Sequence, residues 1–262
     1  MHHPILNIAI KAARQAGNII VRHLDKLDTL NIKVKARNDF VSEVDQFAES
    51  EIIRVISAAY PDHAILAEES GAKPGNTYQW IIDPLDGTTN FLHGYPQFSI
   101  SIALARDGAL EQGVVFDPVR DELFTASRGR GAQLNNRRIR VSSVNRLEGC
   151  LLGTGFPFRA MNHLDPWLKM FRDMLLRTSG VRRAGSAALD LAYVACGRFD
   201  GFWELGLKRW DLAAGCLLIQ EAGGLVSDLD NNQTFLTSGN VVAANPDIHP
   251  LMLEIISRHH PF

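Results

Sequence analysis

The chain has 262 residues, 46% of them hydrophobic and 21% charged, with a formal net charge of −2. These values fit a globular protein of one large domain or two intimately packed halves, and they exclude a disordered chain. So small a net charge supplies no global field to draw the protein to nucleic acid or an anionic membrane.

Residues 4–24 place Ile5, Ile8, Ala9, Ala12, Ala16, Ile19 and Ile20 at three-and-four spacing, which predicts an amphipathic helix. A second helix is predicted from Asp45 to Tyr60, closed by Pro61. Ala64–Glu68 and Gln79–Ile82 read as short buried strands, each followed by acids: Glu68-Glu69 and Asp83. Strands follow at Phe98–Ala105, Gln112–Phe116 and Glu122–Ala126, broken by the turn chemistry of Arg106-Asp-Gly and Asp117-Pro-Val-Arg-Asp. Further on, helices are predicted at His163–Arg177, Ala187–Cys196 and Trp210–Ala222, and strands near Phe202–Leu205, Gly224–Val226 and Val241–Ala244. A last helix is expected over Pro246–Arg258. Runs of strands beside runs of helices point to a layered α/β or α+β fold.

Cys150, Cys196 and Cys216 are odd in number, widely spaced and set among apolar residues. They read as buried thiols of a reducing cytosol, neither a disulfide framework nor a zinc site. The opening Met1-His-His-Pro lacks the features of a signal peptide, and no apolar run approaches the ~18 residues that span a bilayer. A cytoplasmic protein with no membrane partner is therefore expected. The arginines at 128, 130, 137, 138 and 140 have no interleaved aromatic residues and read as a solvated loop and strand edge. Lys33 and Lys35 read as solvated, and His93 as a surface or pocket-rim residue. Gly129-Arg-Gly131 is a turn, since no Lys-Ser/Thr follows it.

The chemistry concentrates at Trp80-Ile-Ile-Asp-Pro-Leu-Asp-Gly-Thr-Thr-Asn-Phe91. Pro84 and Gly87 turn the chain sharply, so that Asp83 and Asp86 can converge. Gly87, Thr88 and Thr89 then open a helical turn whose free N–H groups suit a phosphate. Two carboxylates beside such a cradle would repel the substrate unless a hard cation lay between, and all-oxygen ligation favours magnesium. Taken singly, each acid has a plainer explanation: turn, N-cap or acidic first helical turn.

Together, Ala67-Glu68-Glu69-Ser70, Trp80–Phe91, Trp210-Asp211-Leu-Ala-Ala-Gly and Glu221-Ala-Gly-Gly224 resemble the inositol monophosphatase family, in order and in spacing. The similarity runs from the first helix to Ala243-Ala-Asn-Pro246. His-Pro-Ile-Leu-Asn-Ile-Ala, Asn38-Asp-Phe-Val41 and Gly185-Ser-Ala-Ala-Leu-Asp-Leu-Ala192 place it nearest a bacterial branch. Where the family commonly has Thr, Ser42 keeps the hydroxyl.

The resemblance implies a layered αβαβα sandwich, a single domain over 1–262 with its metal site between halves of about 1–145 and 146–262. It implies that Glu68, Asp83 and the Leu85 carbonyl hold one Mg2+, and Asp83, Asp86 and Asp211 a second, with a third ion reached from Glu68 through waters. The phosphate would lie against Gly87 and Thr88, with Asp45 accepting from Thr88 to orient the attacking water. Gly185, Ser186, Ala187 and Glu204 would line the polyol pocket beside Asp86 and Asp211, with Arg183 as a substrate or interface contact. The implied activity is lithium-sensitive hydrolysis of myo-inositol 1-phosphate, or of a related polyol or sugar phosphate, by a homodimer. Two alternatives stand beside it: another phosphate ester such as fructose-1,6-bisphosphate or a nucleotide, and association with RNA polymerase or transcription factors, as for some bacterial members.

Overall fold

Pro4 opens helix α1 (Pro4–His23) where a missing N–H costs nothing, and the His3 ring accepts from the Ile5 amide at 3.3 Å. In this computed structural model, which describes residues 3–29, 32–36, 39–158 and 161–259, α1 packs along α2 (Glu43–Ala59). The second helix begins two residues before its predicted start. Ser42 is its N-cap, and Asp45 closes a capping box by accepting from the Ser42 amide at 2.8 Å. Between the helices, β1 (Ile32–Ala36) and β2 (Asp39–Ser42) pair antiparallel. The side chains of Lys33 and Lys35, and Asn38 altogether, lie outside the described residues.

The large sheet is built from β3 (Ala64–Ala67), β4 (Gly71–Lys73), β5 (Tyr78–Asp86), β6 (Ser99–Arg106), β7 (Ala109–Asp117), β8 (Glu122–Ser127), β9 (Gly131–Leu134) and β10 (Arg137–Arg138). Its order is β10-β9-β8-β7-β6-β5-β3-β4, and β3 with β5 is its parallel pair. One expectation is corrected here: β5 does not end at Ile82 but runs through Pro84 to Asp86. Pro84 is accommodated because the β5–β6 register slips between Asp83 and Asp86, so no ladder bond is asked of its nitrogen. The sharp turn comes at Gly87, which leads into the short helix α3 (Thr88–Leu92).

The smaller sheet contains β11 (Leu151–Thr154), β12 (Gly180–Arg182), β13 (Gly201–Glu204), β14 (Leu225–Ser227) and β15 (Val241–Ala244), in the order β12-β11-β13-β15-β14. It is also mixed, with β11 parallel to both β12 and β13. The remaining helices are α4 (Leu164–Arg177), α5 (Ala187–Ala195), α6 (Arg209–Glu221), α7 (Phe235–Ser238) and α8 (Ile248–Ser257).

Three apolar cores hold five layers together. The first joins α1 and α2 to one face of the large sheet through Ala12, Ala16, Ile52, Trp80 and Ile102. The second fills the middle, where α5 and α6 lie between the sheets. Being covered on both sides, these two helices are apolar nearly all round, as Leu189, Leu191, Leu212, Cys216 and Leu217 show. The third core packs α4 and α8 on the outer face of the small sheet around Trp167, Trp203 and Met252. The order is αβαβα. Cys150 and Cys216 are buried as expected, but Cys196, at the end of α5, is only half-buried. Arg128, Arg130, Arg137, Arg138 and Arg140 are all exposed at the β8–β10 edge.

Candidate active site

Asp83 and Asp86 reach the site from the end of β5, and Asp211 from the first turn of α6. One carboxylate oxygen from each lies within 4.8 Å of the others. Several bonds fix this meeting point. The Ser101 hydroxyl, on β6, donates to the Trp210 carbonyl at 3.0 Å and pins the start of α6 to the large sheet. Asp211 Oδ2 accepts from the Lys208 amide at 2.8 Å. Asp86 Oδ2 accepts from the Ser186 hydroxyl at 2.6 Å and the Ala188 amide at 2.7 Å, which docks the start of α5 on the same point. Asp83 Oδ1 accepts from the Leu85 amide at 3.0 Å.

Such a cluster is costly without a cation. Burial, and then the charges of Glu68, Asp86 and Asp211, hold Asp83 well above the ordinary carboxylate range. Asp86 is pushed up to about 7 by burial and by Asp211, against the opposing bonds from Ser186, Ala188 and Ala187. Carboxylates crowded in this way, all offering oxygen, are the donor set of a hard divalent ion. The residues present fit one.

The cluster forms the floor of a cavity of about 460 Å³. Glu68, Leu85, Gly87 and Thr88 line it on the side of the large sheet; Arg183, Gly185, Ser186, Ala187 and Glu204 line it on the other. Every candidate site residue from the sequence therefore lines one space except Asp45, which is fully buried beneath it. Asp45 Oδ1 lies 2.9 Å from the Thr88 hydroxyl, the bond expected of it, and the Leu85 carbonyl lies 3.0 Å from the same hydroxyl. Gly87 has φ 98°, and a Cβ there would meet the Gln97 carbonyl at 2.9 Å, so the turn requires glycine. At Gly155 a Cβ would fall 2.0 Å from the Glu204 carboxyl carbon; this glycine makes the room that Glu204 occupies. His93 is exposed and outside the cavity lining.

Three contributors had no role in the sequence reading. Asn90 Nδ2 lies within reach of the carbonyls of Gln97 (2.6 Å), Ala184 (2.9 Å) and Gly185 (3.3 Å), joining the turn after β5 to the loop that enters α5. It stands inside the quoted motif, which was the available signal. Asp190, on α5, is 1% exposed with Oδ1 unbonded, and burial, then Glu204 and Asp86, raise it well above the ordinary range despite Arg183. Phe156 walls the mouth of the cavity, edge-on to Trp167 at 5.4 Å and with the Arg183 guanidinium 4.7 Å from its ring centre. Nothing in its local sequence marks that position.

The five-layer fold and the acid-floored cavity define a class, and comparison with known proteins names it: the chain belongs to the inositol monophosphatase family, whose model matches residues 1–260. Within that family it is similar to Nus factor SuhB of Pseudomonas aeruginosa, 54% identical over 264 residues that cover 98% of this chain and 97% of that protein. Among solved structures, the extragenic suppressor protein suhB from Bartonella henselae superposes with a TM-score of 0.96 at 43% identity, covering 98% of this chain and 99% of that one. Inositol monophosphatase from Anabaena superposes with a TM-score of 0.87 at 41% identity, covering 97% and 95%.

Proposed function

We propose that this protein is a magnesium-dependent phosphomonoesterase that hydrolyses myo-inositol 1-phosphate, or a related polyol or sugar phosphate, to the alcohol and phosphate. The observation that carries this reading is the convergence of Asp83, Asp86 and Asp211 within 4.8 Å on the floor of the cavity. Glu68, Asp83 and the Leu85 carbonyl would hold one ion, and Asp83, Asp86 and Asp211 another, with Glu68 also serving a third through waters. Ions bound there would acidify a water and neutralise charge on phosphoryl oxygens.

The chain's own residues do the rest by position. The phosphate lies against Gly87 and Thr88. Thr88, its hydroxyl directed by Asp45, is left with lone pairs that accept from the attacking water, and Glu68 steers that water from the other side. Across the cavity, Glu204 accepts from substrate hydroxyls, and Gly185, Ser186 and Ala187 shape the pocket around the ring. Arg183, exposed at the rim, meets the outer end of the substrate. The work is chiefly orientation and charge neutralisation.

A panel of phosphate esters, assayed for phosphate release with and without magnesium and lithium, tests this directly. Myo-inositol 1-phosphate or another polyol phosphate should lead fructose-1,6-bisphosphate and nucleotide phosphates, and lithium should inhibit. Asp211→Asn should abolish turnover; a fully active Asp211→Asn protein would sink the assignment.

The name Nus factor borne by the Pseudomonas relative supports a second reading, association with RNA polymerase or transcription factors. Co-purification with RNA polymerase addresses it, and a metal-site variant that kept the cellular phenotype would give the binding role precedence. The homodimer follows the family resemblance and is checked by sedimentation of the full chain. A cytoplasmic location is in keeping with the described helices, none of which is long and apolar enough to cross a membrane.

A further inference from the structure

Glu68 sits just past the end of β3, on the turn into β4, and a turn presents a side chain only as firmly as its backbone is held. Here the backbone is held from another element. Glu49, on α2, is 3% exposed, and its carboxylate is spent on this turn: Oε2 accepts from the Glu69 amide at 2.8 Å, and Oε1 from the Ser70 amide at 2.8 Å. Both are charge-assisted bonds to successive N–H groups, the strong class. Asp45 lies one helical turn earlier on the same face of α2, where it accepts from Thr88 at 2.9 Å. A single helix thus carries two buried acids, one braced against the turn that bears Glu68 and one against Thr88 at the start of α3. A buried carboxylate is costly unless its oxygens are used, and each oxygen of Glu49 has its own amide.

We propose that Glu49 is a positioning residue for the metal site: by gripping the amides of Glu69 and Ser70 it fixes the direction in which Glu68 projects toward Asp83. The inference rests on the reading of Glu68 as a metal ligand. With both amides held, the turn has one backbone geometry and Glu68 is preorganised. Without them, each binding event must first order the turn, and affinity falls by that cost.

Glu49→Gln keeps the shape but replaces one acceptor by an NH2 that faces an N–H. In calorimetric titration with magnesium alone, its dissociation constant should rise about tenfold, the lower end of the ~10–100-fold typical for partners that orient metal ligands. The KM for the phosphate ester and kcat at saturating magnesium should stay within about twofold of wild type. In the metal-free protein, amide exchange at Glu69 and Ser70 should accelerate. Glu49→Asp, which keeps the charge one methylene further back, should show a smaller rise, and it carries the same titration if Gln does not support folding. Ile52→Val, a core change on the same helix, should lower the melting temperature without moving the magnesium titration.

Equal magnesium affinity in wild type and Glu49→Gln would overturn the inference alone. So would a rise of the same size in Ile52→Val, since that would reduce the effect to general destabilisation. Absence of magnesium uptake by the wild type would overturn the reading of the site and the inference with it.

Discussion

Asp83 is 1% exposed, with Glu68, Asp86 and Asp211 all acting on it at close range. Carboxyls whose folded-state value is raised hold their protons more tightly in the folded protein than in the unfolded chain. Their contribution to stability is therefore full below the ordinary value of 3.8 and is lost as pH rises through the folded value, which for Asp86 is about 7. The metal-free protein should lose melting temperature between pH 4 and pH 8 on this account, and saturating magnesium should restore most of the loss at the alkaline end. Scanning calorimetry across that range, with magnesium and with chelator, measures the difference; identical curves would remove the cation from the account. Thr88 makes a second case at this scale. Thr88→Ala removes the hydroxyl that the proposed mechanism assigns to the attacking water but no carboxylate, so kcat should fall by roughly 10²-fold or more while the magnesium titration moves little. Parallel losses in both would show that Thr88 belongs to the metal site itself.

At the scale of elements, α5 and α6 cross so closely that a Cβ on Gly215 would lie 2.5 Å from the Leu191 Cβ. Gly215→Ala should force the helices apart at a cost of about 1–3 kcal/mol, read as a lower urea midpoint with an unchanged slope. The long helices and the central strands were legible because their apolar spacing repeats over several turns or pleats. β4, β9, β10 and β12 run for two to four residues each, too short for an alternating pattern to register. Pro84 hid the last part of β5, because proline in a strand ordinarily argues against one, and only the register slip opposite β6 shows how it is tolerated. The acids of the site stood out through their motifs. What local sequence could not carry was the distance between Asp83 and Asp211, which the packing of α6 on the large sheet sets. Glu49 was overlooked for a similar reason: four residues after Asp45 it reads as an acid on a helix surface, and only the fold turns it inward.

At the scale of the whole molecule, Asn90 ties the turn after β5 to the loop that enters α5. Its amide lies on the carbonyls of Gln97 and Ala184, and Asn90→Ala would remove these part-buried bonds, costing about 1 kcal/mol. Because those carbonyls border Gly185, the same change should raise KM for the phosphate ester, whereas a purely structural role would lower the melting temperature alone. Steady-state kinetics at saturating magnesium, alongside thermal denaturation, separates the two.

The spread of the site along the chain also governs when it comes into being. Glu68, Asp83 and Asp86 leave the ribosome early, yet Asp211 arrives only with α6, and the bonds that seat Asp86 arrive with the start of α5. No nascent fragment that stops short of α6 can close the carboxylate cluster, however well its own strands have paired. Any ion taken up at the proposed metal site would thus be bound late in biosynthesis, once the middle layer has docked.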